Sequence, residues 1–437
     1  MGCARFVWNA KCEDDYYLRT FARKYMPLGT YPPIDQQTSK YKTELSPWLK
    51  DCPSQILRNT ATNWKATYTK FLKGECGRPV RKKKSDKGSI HLTRELFDFR
   101  VCDDGVTRLF IGSKTNNIGF LPVKFHAHFK VPNSIYIRRE TGRYFVSFCY
   151  EDGQDPSSLK DNREHLKYLQ GANAASLADM VIGIDRGIAV PVQAGLESHF
   201  PTEGQAKNKL RHQGQIKTLQ RKLSRQKKAS ARYKKTKRRL KSSHEKVAAI
   251  RNDFCHKTSR KIVDSKATVI IFEDLKTKNM SASAKGSIEK TGKKVKQKTA
   301  LNRSILDQSW HRLEAYTKYK AHRANKAFFK VAAHHTSQEC AECEHIHPDN
   351  RRNQARFKCV SCGHSDNADR NAALVIAKRA IKLITHSGTE LSDRGVLYVR
   401  DQGKGRGANS KSKPQGVLQA ATKRQKRKDH IGSIRAA

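Results

Sequence analysis

The chain has 437 residues, with 88 lysines and arginines against 40 aspartates and glutamates, which gives a formal net charge of +48 at pH 7. Hydrophobic residues make up 37% of the chain, enough to build folded cores, so a wholly disordered basic protein is excluded. No run approaches the roughly 18 consecutive apolar residues of a membrane span, and no signal peptide is recognisable, so we expect a cytoplasmic protein. Because like charges at this density repel one another, a phosphate polyanion is the expected partner, with an anionic membrane surface as the weaker alternative.

The N-terminal part of the chain divides into a helical region and a β region. Residues 11–75 carry apolar and aromatic side chains at helical spacing, and Pro47 and Pro53 stand where helices can start. The pattern then changes to the alternation of apolar and polar residues that is typical of strands, with Gly and Asp-Asp-Gly turns between the runs. We therefore predict a helical domain over residues 1–89, and a β-barrel followed by a polar linker over residues 90–178.

Two buried strands that end in carboxylates are predicted further along the chain. An apolar run from residue 180 is interrupted by Asp185, and a β-branched run from residue 267 ends at Glu273 and Asp274. Between these strands, residues 206–262 form a long helical pattern, with 17 lysines and arginines but only one acid between Lys207 and Lys246. Such a charge excess suits a nucleic-acid channel better than an isolated solvated helix.

Four of the eleven cysteines form two CxxC pairs, Cys340 with Cys343 and Cys359 with Cys362. Each CxxC can bend into a knuckle, and 15 intervening residues let the second knuckle complete a tetrahedral site, so we predict a structural zinc ribbon that holds one Zn²⁺. The alternatives are redox-active or unliganded thiols. Substitution of one sulfur ligand by a nearby histidine (His345, His347 or His364) also stays open, although four sulfurs are favoured.

Three separated carboxylates, Asp185, Glu273 and Asp369, are candidates for a catalytic site that holds two Mg²⁺ ions. Phosphodiester hydrolysis by two metals needs converging carboxylates, and hard oxygen ligands suit Mg²⁺. Each carboxylate alone also has a structural explanation, as a turn residue, an ion-pair partner or a first-turn helix residue. Asp366 competes with Asp369, because it lies three residues away on the same helical face and is the better N-cap candidate.

Several motifs, in order, resemble those of the TnpB family of transposon-encoded RNA-guided nucleases, which are related to the smallest type V CRISPR effectors. The resemblance covers about residues 2–385. Its marks are Gly183-Ile184-Asp185-Arg186-Gly187, Phe272-Glu273-Asp274-Leu275, Thr336-Ser337-Gln338-x-Cys340 and Asp369-x-Asn371-Ala372-Ala373.

The resemblance implies a multidomain α+β fold. A helical recognition lobe and a β-barrel wedge domain would precede an RNase H-like α/β RuvC domain with an inserted zinc ribbon. The implied activity is that of a prokaryotic, Mg²⁺-dependent, RNA-guided DNA endonuclease, whose partners are a guide RNA and a target double-stranded DNA. The RuvC site would use Asp185, Glu273 and Asp369. A CRISPR-associated compact type V effector and a non-cleaving RNA-guided repressor are the alternative functions.

The predicted boundaries follow from the motifs. They are 1–89 for the recognition lobe, 90–178 for the wedge domain and linker, 179–335 for the RuvC domain with a basic helical hairpin at 206–262, 336–365 for the zinc ribbon, 366–385 for the last RuvC segment and 386–437 for a disordered basic tail.

Candidate nucleic-acid contacts are polar and basic residues on the predicted helices and on the basic run that follows them. They are Gln55, Arg58, Asn59, Lys82, Lys83, Arg221, Lys222, Lys227 and Lys228. The first three are candidate readers of a motif adjacent to the target, although an ordinary solvated helix face explains them slightly better. Two departures from the family pattern are expected to matter: the family's first wedge-domain strand is missing before Gly2, and Glu344 stands where the family often has Gly.

Overall fold

The computed structural model describes residues 1–21, 37–84, 88–112, 117–125, 129–140, 143–151, 159–286 and 291–400. The chain divides into two compact units. One comprises Met1–Ser158 and Glu203–Ile250, and the other comprises Leu159–Thr202 and Arg251–Ala437. In the part of the chain that is described, no helix combines the length and the hydropathy needed to cross a membrane.

The first unit begins with two helices, α1 (Gly2–Thr20) and α2 (Ser54–Leu72). Pro53 occupies the N-cap of α2, as the sequence predicts. Val7 of α1 packs against Leu57 and Ala61 of α2, and these three side chains are at most 1% exposed. The apolar residues at helical spacing along residues 54–72 therefore lie on the face of α2 that contacts α1.

Six strands follow, which confirms the strand pattern that the sequence predicts. They are β1 (Gly88–Thr93), β2 (Phe97–Val101), β3 (Thr107–Gly112), β4 (Asn117–Leu121), β5 (Ser134–Glu140) and β6 (Arg143–Cys149). They pair antiparallel in two sheets, with strand orders β1-β5-β6 and β2-β3-β4. Leu92, Leu109 and Ile135 bring side chains from both sheets into one core.

In the second unit a five-stranded sheet has the order β11-β10-β7-β8-β9. Its strands are β7 (Val181–Asp185), β8 (Val192–Ala194), β9 (Glu197–His199), β10 (Val269–Glu273) and β11 (Ala327–Val331). Strands β7, β10 and β11 are parallel, whereas β8 and β9 form an antiparallel edge. The carboxyl ends of the two central strands β7 and β10 therefore lie side by side.

The described residues also form the following α-helices and short strands, which include the two basic helices of the hairpin. The helices are α3 (Asn162–Leu169), α4 (Ala174–Met180), α5 (Glu203–Ser224), α6 (Ala231–Asp264), α7 (Thr277–Met280), α8 (Val295–Gln308), α9 (Trp310–Arg323) and α10 (Ala368–Thr385). The short strands are β12 (Arg356–Lys358), β13 (Ser365–Asn367), β14 (Thr389–Leu391) and β15 (Leu397–Val399).

The basic helical pattern folds as predicted into two helices, α5 and α6. The sequence predicts this hairpin as part of the nuclease domain, whereas residues 203–250 pack in the unit that contains the N-terminal helices and strands. The prediction and the structure differ because α6 is long, with 34 residues, and belongs to both units. Its C-terminal end contributes Cys255, Ile262 and Val263 to the core of the second unit.

Three segments predicted as linker or tail contain regular structure. A capping box between Asp161 and Glu164 starts α3, whose Leu166 and Leu169 are buried, so the polar segment before β7 is helical rather than a linker. The composition of residues 276–300, rich in Lys, Ser and Gly, likewise predicts a linker, but helix α8 begins within it. The prediction of a disordered tail is wrong for residues 389–399, which form the β14-β15 hairpin with Leu397 in the core; residues 401–437 lie outside the described residues.

Candidate functional site

Asp185 is the last residue of β7, at the carboxyl edge of the sheet. Its carboxylate accepts a hydrogen bond from the backbone N–H of Arg186, at 2.8 Å. Two positions upstream, a Cβ on Gly183 would lie 2.1 Å from the carbonyl oxygen of Ala373 in α10. Glycine in the first motif is therefore needed so that α10 can lie directly on β7.

Glu273 is the last residue of the neighbouring strand β10 and is only 5% exposed. Its Oε1 accepts a short hydrogen bond from the hydroxyl of Thr336, which orients the carboxylate. The guanidinium of Arg186 donates to the backbone carbonyl of Glu273 at 2.6 Å and to Glu314 at 2.9 Å. Arg186 thus ties the ends of β7 and β10 together.

Asp369 is the second residue of α10 and is 8% exposed. The N-cap of this helix is Asn367, whose side chain accepts hydrogen bonds from the N–H groups of Asp369 and Arg370. The prediction of Asp366 as the N-cap is wrong, because Asp366 is still paired with Phe357 in the β12-β13 hairpin. Its carboxylate instead forms an ion pair with Arg370.

The electrostatics indicate that the three carboxylates share one site. Burial, followed by the negative charges of Glu273 and Asp369, raises the pKa of Asp185 to about 7. Burial also raises the pKa of Glu273, against the lowering effect of the Thr336 hydrogen bond and of nearby arginines. Like charges in a buried site repel unless a proton or a cation neutralises them, so this arrangement is suited to binding cations.

Arg351 also reaches this cluster, and the sequence did not reveal it. Arg351 Nη2 lies 3.0 Å from Asp369 Oδ1, and the charge of Arg351 favours the ionised forms of Asp185 and Glu273. Thr336 was also not predicted as a site residue. Its position in the motif Thr336-Ser337-Gln338-x-Cys340 is the sequence signal that could have identified it. Arg351 had no comparable signal, because it lies in a polar segment among other arginines.

The four cysteines converge as predicted. Their sulfur atoms all lie within 4.8 Å of one another, with Cys343 to Cys359 at 3.5 Å and Cys340 to Cys362 at 3.7 Å. A tetrahedral site with Zn–S bonds of about 2.3 Å has sulfurs about 3.8 Å apart, so the cluster fits one Zn²⁺. Burial opposes ionisation of Cys359, yet the N–H groups of Cys362 and Ser361 and neighbouring thiols lower its pKa to about 7.

Among the described residues, this metal-binding group contains four cysteines and no histidine, which favours the all-sulfur prediction. Glu344 has a positive φ of 62°, a backbone conformation that favours glycine, so the departure from the family pattern falls on a strained position. The carboxylate of Glu344 forms an ion pair with Lys382 of α10.

Asn371 connects the ribbon to the carboxylate site. It is fully buried, accepts a hydrogen bond from the N–H of Ala341 at 3.0 Å and donates to the carbonyl of Glu339 at 2.8 Å. The first knuckle is therefore fixed to the first turn of α10, two residues from Asp369. This contact explains why Asp369 and Asn371 occur in one motif.

Comparisons with known protein families match two separate segments of the chain. The family described as "Probable transposase" matches residues 154–284, and the family described as "Cas12f1-like, TNB domain" matches residues 310–376. The chain is 28% identical over 374 residues to the "Putative RNA-guided DNA endonuclease InsQ" of Escherichia coli (strain K12), covering 85% of each chain. It is 25% identical over 378 residues to a "Putative RNA-guided DNA endonuclease" of Streptomyces pristinaespiralis, covering 85% of this chain and 82% of that one.

These matches confirm the resemblance of this chain to the TnpB family of RNA-guided nucleases. A solved structure described as "Cryo-EM structure of the Cas12f1-sgRNA-target DNA complex" is similar to it with a TM-score of 0.50 at 13% identity, covering 86% of this chain and 80% of that one. This similarity concerns the fold alone. Both compact units of the present chain contain helices and strands.

The candidate nucleic-acid contacts of this chain lie in the first unit. Gln55 donates to Glu95 at 2.6 Å and Asn59 donates to the carbonyl of His91 at 3.1 Å, so two of the three candidate motif readers are engaged within the unit. Arg58 is exposed on α2.

The basic candidates are exposed. The ammonium of Lys82 lies 3.5 Å from the centroid of the Trp8 ring, and Lys83 is exposed beside it. Arg221, Lys222, Lys227 and Lys228 are exposed at the turn between α5 and α6. Their roles in nucleic-acid binding stay predictions.

Proposed function

We propose that this chain is an RNA-guided DNA endonuclease of the prokaryotic cytoplasm, which binds a guide RNA and hydrolyses phosphodiesters of a target DNA. The observation that carries the proposal is the cluster of Asp185, Glu273 and Asp369, in which the pKa of Asp185 rises to about 7 through burial and the two neighbouring charges. Three buried carboxylates that repel one another suit cation binding better than structural ion pairing.

The donor set fits magnesium. Carboxylate oxygens are the hard ligands that Mg²⁺ prefers, and the three side chains come from two strand ends and a helix start, which are held by separate backbone contacts. When bound, two Mg²⁺ ions supply charge neutralisation at the attacking and leaving oxygens of a phosphodiester. The parallel strands β7, β10 and β11 with an antiparallel edge support the assignment of an RNase H-like RuvC domain.

The chain's own residues hold this site in shape. Thr336 orients Glu273 by a hydrogen bond, and Arg186 fixes the ends of both catalytic strands. Arg351 binds Asp369 from the ribbon side and brings a positive charge to the place where an anionic phosphate must approach. The four cysteines would hold one structural Zn²⁺, which keeps the segment that carries Arg351 folded.

The nucleic-acid partners are inferred from charge and from the relatives. The names of both curated relatives describe RNA-guided DNA endonucleases, and the net charge of +48 suits a complex with RNA and DNA. A non-cleaving repressor is disfavoured because all three carboxylates are present. A CRISPR-associated effector is less favoured than a transposon-encoded nuclease, because the match to a curated Cas12f1 covers 45% of this chain, whereas the match to InsQ covers 85%.

Cleavage by the purified protein with its copurifying RNA tests the proposal. We expect target DNA to be cut in Mg²⁺ and left intact in EDTA, and we expect Asp185→Ala and Asp369→Asn to abolish cutting while target binding persists. Asp366→Asn is the matched control, since Asp366 pairs with Arg370 and should leave cutting unchanged. Cleavage by Asp185→Ala at the rate of the unaltered protein would overturn the assignment of the site.

A further inference from the structure

The sheet β1-β5-β6 has one face in the core and one face outside it. Leu92, Ile135 and Ile137 point into the core and are at most 3% exposed. Because side chains alternate along a strand, their neighbours lie on the other face. The cross-strand registers place these neighbours in two rows, and we call them the outer face: Ser89, Arg138 and Phe145 in one row, and His91, Tyr136 and Ser147 in the other.

Aromatic rings dominate this outer face. The rings of His91 and Tyr136 are stacked, with centroids 4.3 Å apart and planes 15° apart. Phe145, in the neighbouring row, is 43% exposed, although a phenylalanine on a strand is normally covered. The guanidinium carbon of Arg143 lies 5.8 Å from the centroid of the Phe145 ring. An exposed ring therefore stands beside a stacked pair on a rigid strand surface.

The same face is basic. Arg138 is the cross-strand neighbour of Phe145 and donates one hydrogen bond, to Ser147 Oγ at 2.9 Å, out of the five N–H groups of a guanidinium. Arg143 pairs in register with Glu140 at the end of the hairpin. Of the charged residues that β5 and β6 place on this face, two are arginines (Arg138 and Arg143) and one is an acid (Glu140), so the net charge beside the Phe145 ring is positive.

We propose that the outer face is a stacking platform for an unpaired nucleotide, in which the base lies on Phe145 and the flanking phosphates are bound by Arg138 and Arg143. An exposed ring with adjacent guanidinium groups binds single-stranded nucleic acid, because every base has a π-face and every nucleotide has a phosphate. A duplex does not suit this surface, since its bases already stack on one another. The inference rests on the proposed function, which supplies such strands in a guide RNA and in an opened target DNA.

Residue Tyr144 provides a matched control. It is the adjacent residue on the same strand and is 63% exposed, but it pairs with Arg139 and belongs to the opposite face. Removal of either ring takes away an exposed aromatic group from β6. Only removal of the Phe145 ring should affect a nucleotide on the outer face.

Ultraviolet crosslinking of the full chain in complex with its copurifying RNA, followed by mass spectrometry of the digested protein, tests the platform. We expect a nucleotide adduct on Phe145, Tyr136 or His91. A second arm adds target DNA with a 5-iodouracil-labelled strand, so that an adduct on the outer face is assigned to RNA or to DNA. Absence of adducts on the outer face in both arms, or adducts on Tyr144 alone, would overturn the proposal.

Affinity for the same RNA gives the quantitative test. Base stacking on an aromatic ring is worth ~1–3 kcal/mol, so Phe145→Ala should weaken binding by about 5- to 150-fold at a fixed salt concentration. Phe145→Leu keeps an apolar side chain but should show much of the loss, Phe145→Trp should bind like the unaltered protein, and Tyr144→Ala should bind normally. Equal affinity of the Phe145→Leu and Tyr144→Ala proteins contradicts the platform. Failure of the unaltered protein to retain RNA or to cut DNA contradicts the proposed function instead, so the two failures are distinct.

Discussion

Arg351 lies 3.0 Å from Asp369, which joins the zinc-ribbon segment to the carboxylate site. Arg351 ends the short 3-10 helix Pro348–Arg351, between the two cysteine pairs, whereas Asp369 lies in the first turn of α10. The ion pair is largely buried, with 20% and 11% of the two side chains exposed. The ribbon segment therefore contributes a positive charge beside the three carboxylates.

The first prediction follows from this ion pair. Replacement Arg351→Ala should lower DNA cleavage by about 10²- to 10³-fold, because a preorganised positive charge at the reacting phosphate is lost. Arg351→Lys should recover part of the rate, since it restores the charge without the planar guanidinium. Arg352→Ala is the control, because the side chain of that neighbour is 76% exposed and forms its ion pair with Asp349 rather than with Asp369. Cleavage rates measured at equal occupancy of RNA and DNA decide the matter, and equal rates for the two alanine variants would contradict the prediction.

The second prediction concerns Gly183. A Cβ at this position would lie 2.1 Å from the carbonyl oxygen of Ala373 and 2.8 Å from the backbone nitrogen of Ala377. Gly183→Ala must push α10 away from β7, which should destabilise the protein by about 1–3 kcal/mol or more and reduce cleavage by displacing Asp369 from Asp185.

Gly214→Ala is the control for this prediction, and we expect it to have the opposite effect on stability. Gly214 lies within helix α5, and a Cβ there would meet no atom within 4 Å. Alanine in a helix is favoured over glycine by about 0.5–1 kcal/mol, so this variant should be slightly more stable. Denaturant unfolding measures both changes. A Gly183→Ala protein as stable as the unaltered one would show that α10 does not pack on β7 in this way.

Much of the catalytic site could be predicted from local pattern. Asp185 and Glu273 each end an apolar run, and parallel strands bring such ends together at one edge of a sheet. Asp369 could be placed only through the resemblance to a family. Arg351 could not be predicted, because nothing in its sequence neighbourhood separates it from Arg352, and only the path of the chain between the cysteine pairs decides which of the two reaches the site.

The fold was predicted best where the apolar residues are dense. The strands β7 and β10 were identified from their apolar runs. Helix α3 was missed because Leu166 and Leu169 are two apolar residues in a polar segment, and their burial depends on contacts with residues far along the chain, such as Phe329. Short-range periodicity cannot report contacts of that range.

The third prediction concerns the zinc. Elemental analysis should give about one equivalent of Zn²⁺ per chain, as a single four-thiolate site requires. Cys359→Ser should lose the metal and lower the cleavage rate, because the ribbon holds Arg351 and is tied to α10 through Asn371. Cys76→Ser, at an exposed thiol outside the cluster, should retain both metal and activity. A fully folded and active protein without zinc would contradict this role.

The fourth prediction tests the C-terminal hairpin. Strand β15 places Leu397 in the core beside Val331 and Ile384, with 3% of its surface exposed, and the preceding Gly395 accepts a hydrogen bond from the N–H of Lys330 in β11 at 2.8 Å. Leu397→Ala should therefore destabilise the protein by about 2–5 kcal/mol, the usual cost of a large-to-small change in a core. Val399→Ala is the matched control on the same strand, because Val399 is 39% exposed and its truncation should have little effect. If thermal unfolding gives the same midpoint for both variants, residues 389–399 do not complete the core of the second unit.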